Sequence, residues 1–368
     1  MNKTGFGFLR LPRLDPEDEK SIDLPALCSL VDRFLEKGGS YFDTAYTYLG
    51  GASEEALKKT LVDRYPREQF RIADKLPGFA AKSKEDNLRF FEESRNRCGV
   101  DYFDVYLLHG LNAENYEIAE QLEQFAFLQS LKEQGRVKKT GFSYHDTAEL
   151  LDRILTDHPE VDYVQLQINY LDWDSQSVQS RECYETVVRH HKPVLVMEPV
   201  KGGTLANLPA EAERQLKQMH PGDSAARWAI RFATDLAGVA VVLSGMNSPE
   251  QIEDNMAAFP ALSAEELAAL RRSAEIIRDN TAIQCTGCGY CTDGCPVGIP
   301  IPQYFSLYNE YKRHPGELWK TQIIYTSMSK AKVPASACIR CGQCESHCPQ
   351  KLSVTDWLCE VDSSLREA

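Results

Sequence analysis

The sequence predicts a closed (β/α)8 barrel over residues 1–279, followed by a small, mostly α-helical domain over residues 280–368. Three observations lead there. Eight short apolar runs alternate with amphipathic ones from residue 5 to about residue 245 without a change of composition. The run that opens the chain lacks the glycine fingerprint of an open nucleotide-binding sheet. Eight of the twelve cysteines fall in two tight runs after residue 280.

The strand candidates are "GFGFLRL" (5–11), "YFDTA" (41–45), "FRIADKL" (70–76), "YFDVYLLH" (102–109), "VKKTGFS" (137–143), "YVQLQIN" (163–169), "PVLVMEPV" (193–200) and "VAVVLSG" (239–245). Their near-continuous apolar character suits strands buried on both faces. Between them lie helical stripes. Residues 24–37 carry Leu27, Val31, Phe34 and Leu35. Residues 117–134 carry Ile118, Leu122, Phe125 and Leu128, and residues 223–237 carry Ala226, Ala229, Ile230 and Ala233. Eight strands, each followed by helix, close a barrel. An open doubly wound sheet would need G-x-G-x-x-G between its first strand and a helix; "GFGFLR" lacks the third glycine and no helix follows it.

Hydrophobic residues make up 43% of the chain, enough for a sizeable core. The net charge of −13 argues against nucleic-acid and anionic-membrane partners, which need a basic surface. No run of eighteen apolar residues could span a membrane, and the start is not a signal peptide. Cys28, Cys98, Cys183 and Cys359 are scattered rather than paired as a disulfide framework, so a reducing, cytoplasmic location is expected.

Catalytic residues of such barrels sit at the C-terminal ends of the strands. There the chain places Asp43, Tyr48, Lys75 and His109. A tyrosine hydroxyl can give a proton to a carbonyl oxygen while hydride attacks the carbon. Its free pKa, near 10, is high for two-way work at neutral pH. A neighbouring Lys75 ammonium would favour the phenolate, Asp43 would hold that ammonium charged, and His109 would orient the carbonyl oxygen. Singly, each residue has a plain structural explanation; the four together at successive strand ends do not.

Here the chain resembles the aldo-keto reductase family, in "FDTAYTYLGGASEEALKKTL", "IADKLP" and "YFDVYLLHG", across roughly residues 1 to 260. The resemblance implies NADP or NAD extended over the strand ends. By family position, Ser143 and Gln165 would bind the nicotinamide carboxamide. Gly7, Lys201 and Gly202 would lie by the sugar or pyrophosphate, and Gly245, Met246, Gln251 and Asn255 at the adenosine phosphate end. The chain departs from the family at five positions. Met197 stands where an aromatic often stacks on nicotinamide, Glu198 where a serine often follows, and Tyr144 where an asparagine does. Gly245 and Gln251 stand where many members carry Lys and Arg for the 2′-phosphate. His145 lies beside the expected nicotinamide, in a structural or a functional role.

"SAEELAALRRSAEIIRDN" (263–280) opens with a Ser263–Glu266 capping box and would lead out of the barrel. Beyond it, Cys285, Cys288, Cys291 and Cys295 precede Pro296, and Cys338, Cys341, Cys344 and Cys348 precede Pro349. Zinc sites use two pairs of ligands; two copies of C-x2-C-x2-C-x3-C-P point to two 4Fe–4S clusters. The runs resemble bacterial two-cluster ferredoxins. Carried over, that resemblance assigns Cys285, Cys288, Cys291 and Cys348 to one cluster, and Cys338, Cys341, Cys344 and Cys295 to the other. The long spacer, with helices in "PIPQYFSLYNEYKR" and "ELWKTQIIYTSMSK", resembles the helical ferredoxin-like domains of larger oxidoreductases.

The expected function is hydride exchange between a nicotinamide cofactor and a small carbonyl or alcohol substrate, with the clusters passing single electrons to or from a partner protein. The alternative is a redox-sensing or electron-carrier subunit whose barrel binds nucleotide or flavin with little turnover. Hydride carries two electrons together and a cluster one. A flavin is therefore expected either in the partner or in the barrel pocket altered at Met197 and Glu198.

Overall fold

The computed structural model describes residues 3–15, 18–257, 259–313, 316 and 318–366. Eight parallel strands close into a barrel in sequence order: β1 (Thr4–Gly7), β2 (Tyr41–Asp43), β3 (Arg71–Leu76), β4 (Phe103–Leu111), β5 (Val137–Tyr144), β6 (Tyr163–Gln167), β7 (Val194–Met197) and β8 (Val239–Ser244). β1 pairs with both β2 and β8, with Phe6 opposite Phe42 and Ser244. Eight strands in order, all parallel, leave no sheet edge exposed.

The barrel interior is filled by Tyr41, Ala73, Val105, Leu107, Leu195 and Leu243. The opposite strand faces meet the helices. Phe6, Phe34 and Phe42 pack ring to ring at 5.2 to 6.0 Å, so α1 (Leu24–Glu36) is held to β1 and β2 by aromatic contacts. Gly141 sets the distance between β5 and β6. A Cβ there would lie 2.0 Å from the Tyr163 carbonyl oxygen, a backbone atom that cannot yield. Gly141→Ala is expected to destabilise the barrel by about 2–3 kcal/mol, within the usual range for overpacking. A lower urea midpoint would show it; an unchanged midpoint would count against this contact.

Three elements depart furthest from their sequence expectation. β1 ends at Gly7 instead of running to residue 11. The stripe over 117–134 is two helices, α4 (Ala113–Gln121) and α5 (Gln124–Glu133), broken at Glu123, whose φ is 52°. Tertiary hydrogen bonds hold the break. Asn87 Nδ2 donates to the Leu122 carbonyl (3.0 Å), and Gln124 Nε2 donates to the Gly78 carbonyl (3.1 Å). β7 stops at Met197 instead of running to residue 200, because Glu198 takes a left-handed φ of 56°.

The chain forms two compact units. One comprises Met1–Asp174, Gln179–Pro199 and Ala226–Leu262; the other Ser175–Val178, Val200–Ala225 and Ser263–Ala368. The expected boundary at 279/280 falls inside the second unit. There α11 (Ala264–Asp279) packs against α8 (Ala210–Met219), with Gln215 Nε2 donating to the Ala269 carbonyl (3.2 Å). The capping box at Ser263 is present: Ser263 N donates to Glu266 Oε2 (2.7 Å), and Glu266 N to Ser263 Oγ (3.2 Å). The core of this unit joins Ile283 with Tyr304, Phe305 and Tyr308 of α13 (Ile301–Arg313), Tyr325 of α14 (Leu318–Ala331) and Leu358 of α16 (Val354–Leu365).

Candidate active site and cysteine hollows

Asp43 ends β2, Lys75 lies near the end of β3, and His109 lies near the end of β4; Tyr48 follows β2 in a short 3-10 turn. The barrel closes β2, β3 and β4 side by side, so these ends converge. Lys75 is fully buried. Its Nζ donates to Asp43 Oδ1 (2.6 Å), to the Thr44 carbonyl (2.8 Å) and to the Tyr48 hydroxyl (3.2 Å). Three acceptors account for the three protons of an ammonium. A buried charge with all its protons engaged persists where an unpaired one would not.

Asp43 accepts a second bond at Oδ2 from Gln165 Nε2 (3.2 Å), which ties β6 to β2 across the barrel mouth. Burial raises the Asp43 pKa, and the Lys75 ammonium partly offsets that. The imidazole of His109 packs edge-on to the Tyr48 ring at 5.8 Å between centroids. Burial pushes its pKa well below the usual histidine value, and the charges of Lys75 and His145 push the same way. His109 is therefore neutral at neutral pH, and it can offer a carbonyl oxygen an N–H without adding a charge.

The remaining sequence-predicted residues fall in several places. Ser143 and Gln165 are direct partners across β5 and β6, both buried; Ser143 Oγ accepts from Gly110 N (2.7 Å). A hydroxyl and an amide side by side at neighbouring strand ends, next to the tetrad, are the chemistry that a carboxamide needs. Gly7 ends β1, opposite Asp43. Met197 ends β7 half-buried, and its neighbour Glu198 has its carbonyl held by Asn169 Nδ2 (3.1 Å). Met246 is fully buried. Asn255 Nδ2 donates to Ser244 Oγ (3.0 Å), and Gln251 Oε1 accepts from Asn247 N (2.7 Å), so both brace the β8 turn.

Two residues escaped the sequence. Arg10 packs its aliphatic stem over Gly245, its Cβ 3.1 Å from where a Gly245 Cβ would be, and so reaches the β8 end from the far side of the chain order. Phe79, exposed, stands 6.1 Å from the His109 ring and gives the barrel mouth an apolar wall. Neither carries a motif; the barrel's closure brings them there.

In the second unit, Lys201 and Gly202 belong to a loop in which Lys201, Gly202 and Gly203 all have positive φ. Lys201 is buried, and its Nζ donates to Gln350 Oε1 (2.6 Å). Gln350 Nε2 is itself buried with no hydrogen-bond partner among the described residues. Gln350 lines a hollow whose wall includes Cys285, Cys288, Cys291 and Cys348. A second hollow is lined by Cys295, Cys338, Cys341 and Cys344. In each hollow, three cysteines of one run meet the last cysteine of the other.

The two runs share a backbone that the sequence only half shows. Gly287 N and Arg340 N each donate to the sulfur two residues before them, Cys285 (3.3 Å) and Cys338 (3.4 Å). Gly287 and Arg340 both take left-handed φ, as do Gly289 and Gly342. A one-turn helix follows in each, α12 (Tyr290–Asp293) and α15 (Gln343–Ser346). Burial and the neighbouring Cys288, Cys285 and Cys348 push the Cys291 thiol up, and burial with Glu345 and Cys338 pushes Cys344 up to about 11. Four crowded thiols can all ionise only around a multivalent cation, which fits metal ligation. The orphaned Gln350 amide leaves a buried donor on a residue that lines the first hollow.

Comparison with known proteins agrees. The aldo/keto reductase family model matches residues 5–275, and a 4Fe-4S dicluster domain matches residues 284–352. An aldo-keto reductase of Mycobacterium avium is 24% identical over 278 residues, 75% of this chain and 86% of that protein. The NADH-specific methylglyoxal reductase of Escherichia coli is 24% identical over 293 residues, 67% of this chain and 88% of that one. A crystal structure of an aldo-keto reductase from Klebsiella pneumoniae in complex with NADPH has a TM-score of 0.57, at 22% identity over 73% of this chain and 90% of that one.

Proposed function

Because the chain belongs to the aldo/keto reductase family, we propose that its barrel exchanges hydride between a nicotinamide cofactor and a small carbonyl or alcohol substrate, and that its dicluster domain exchanges single electrons with a partner protein. One observation carries this reading: a buried Lys75 ammonium that bonds Asp43 and Tyr48 at once. The nicotinamide, when bound, supplies or accepts the hydride. Tyr48 gives the carbonyl oxygen its proton. The Lys75 hydrogen bond stabilises the negative charge left on the Tyr48 oxygen, and Asp43 keeps Lys75 in place. Neutral His109 and apolar Phe79 fix the carbonyl at the mouth. Ser143 and Gln165 would hold the carboxamide.

Cys285, Cys288, Cys291 and Cys348 would hold one cluster, and Cys338, Cys341, Cys344 and Cys295 the other. The support is that each set of four lines one hollow. The bond from Lys201 to Gln350 favours a second reading, in which the barrel binds nucleotide weakly and the protein is chiefly an electron carrier or redox sensor. Steady-state oxidation of reduced nicotinamide with a panel of aldehydes separates the two.

Lys75→Met is expected to lower kcat/KM for carbonyl reduction by about a hundredfold. Without the ammonium the Tyr48 phenol holds its proton more tightly. The alkaline limb of the reduction profile then moves to higher pH, while alcohol oxidation, which needs the phenolate, weakens further. An unchanged pH profile would count against this role of Lys75.

A further inference from the structure

The two cysteine hollows differ in the charge that stands behind them. Among the described residues, no charged side chain lines either one. The first has Gln350 in its wall, with Lys201 bonded to it from behind. The second has Thr355, whose backbone N–H and hydroxyl both donate to the Glu345 carboxylate (2.8 and 2.9 Å). One hollow is backed by a cation and the other by an anion. Arg340 lies within the second cysteine run, but its side chain is exposed and pairs with Asp356, so water and a carboxylate screen it.

The backbone turns Lys201 and Gln350 toward each other. Lys201 has a φ of 46°, in the left-handed region, and its loop is closed by Gly203 N and Leu205 N, which both donate to the Val200 carbonyl (3.1 Å each). Gln350 follows Cys348 and Pro349 in a turn closed by Lys351 N on the Cys348 carbonyl (3.0 Å). An ammonium only donates, so the atom that Lys201 Nζ meets at 2.6 Å is the amide oxygen. That leaves Gln350 Nε2 buried without a hydrogen-bond partner among the described residues, on a side chain in the wall of the first hollow. Lys201 is 1% exposed and Gln350 5%, so water does little to screen the charge or the amide dipole.

We propose that Lys201, acting through a Gln350 amide that donates its free N–H into the first hollow, holds the cluster of Cys285, Cys288, Cys291 and Cys348 at a higher reduction potential than the cluster of Cys295, Cys338, Cys341 and Cys344. The inference rests on the proposed cluster assignment. Reduction adds one electron to a 4Fe–4S cluster and makes it more negative. A nearby cation and an N–H donated to sulfur favour that change, and a nearby carboxylate opposes it. Electrons taken from a partner then collect on the first cluster. Lys201 is a positioning residue for that transfer, because it acts through Gln350.

The test is an anaerobic redox titration of the cluster-loaded full chain with dithionite and mediators, followed by the paramagnetic signals of the reduced clusters. The signal lost in Cys348→Ser marks the first cluster, and the signal lost in Cys295→Ser the second. In the unsubstituted protein the first signal should appear before the second as the potential falls. At the potential that half-reduces the first cluster, Gln350→Leu and Lys201→Met should each lower its reduced-to-oxidised ratio about tenfold, the low end for a hydrogen bond to a charged group. The second signal should not move. Lys201→Arg, which keeps the charge, should keep the ratio. A residue that only packs would cost iron without shifting a potential. Appearance of the second signal first, an unchanged ratio in Gln350→Leu and Lys201→Met, or equal shifts of both signals would each overturn the inference. The order of the two signals needs no variant at Lys201 or Gln350, so it decides even if those substitutions cost iron. Cys348→Ser reads the cluster assignment by a lost signal and Gln350→Leu reads this inference by a shifted one, so the two failures are told apart.

Discussion

Tyr48→Phe is expected to lower carbonyl turnover by at least about a hundredfold, with little change in substrate or nucleotide affinity. The substitution removes one oxygen, the one that Lys75 Nζ reaches at 3.2 Å. The ring remains packed against His109 and under the Lys75 ammonium, 4.7 Å from its centroid, so the pocket keeps its shape. A positioned general acid lost in this way lowers kcat and kcat/KM together, because the proton it supplies is needed only in the transition state. Rates of hydride transfer in single turnover check it. A variant with near-native turnover would remove Tyr48 from the chemistry and leave His109 as the acid to consider. The pH dependence separates these two. Burial keeps His109 neutral through the neutral range, so no activity inflection is expected near the usual histidine pKa of about 6.5.

Cys348→Ser should disturb the cluster held by the first run, although Cys348 lies in the second. It shares its hollow with Cys285, Cys288 and Cys291, and not with Cys338, Cys341 and Cys344. Intact protein should carry about eight irons per chain. The variant should fall below that, with loss or conversion of one paramagnetic signal and retention of the other. Cys295→Ser should do the reverse. The expected effect extends to folding, since a group that crosslinks two loops adds its binding energy to the stability of the unit. Loss of the signal tied to Cys338, Cys341 and Cys344 in Cys348→Ser would show that each run holds its own cluster.

Much of this was legible in the sequence because barrel strands and cysteine runs are local patterns. β3, β6 and β8 lie within their apolar runs, and the capping box at Ser263 is present. The tetrad was legible because strand ends are where such barrels do chemistry. What was not legible depends on contacts distant in sequence. The apolar stripe over 117–134 runs straight through the break at Glu123, and nothing local reveals that Asn87 captures the Leu122 carbonyl. The resemblance would put Lys201 by the cofactor, and only the fold shows that it bonds Gln350, 149 residues away. Arg340 takes the left-handed backbone that glycine supplies at Gly287 in the first run, so the shared geometry of the two runs is hidden by residue type.

The central claim is that one chain carries a hydride site and a separate pair of one-electron sites. Anaerobic rapid mixing of flavin-free, cluster-loaded protein with reduced nicotinamide and an aldehyde tests it directly, with nicotinamide and cluster absorbance followed together. Nicotinamide should be consumed in step with aldehyde reduction, in a Tyr48-dependent manner, while the cluster absorbance stays constant. Bleaching of the clusters at the rate of turnover, with no flavin or partner added, would contradict it.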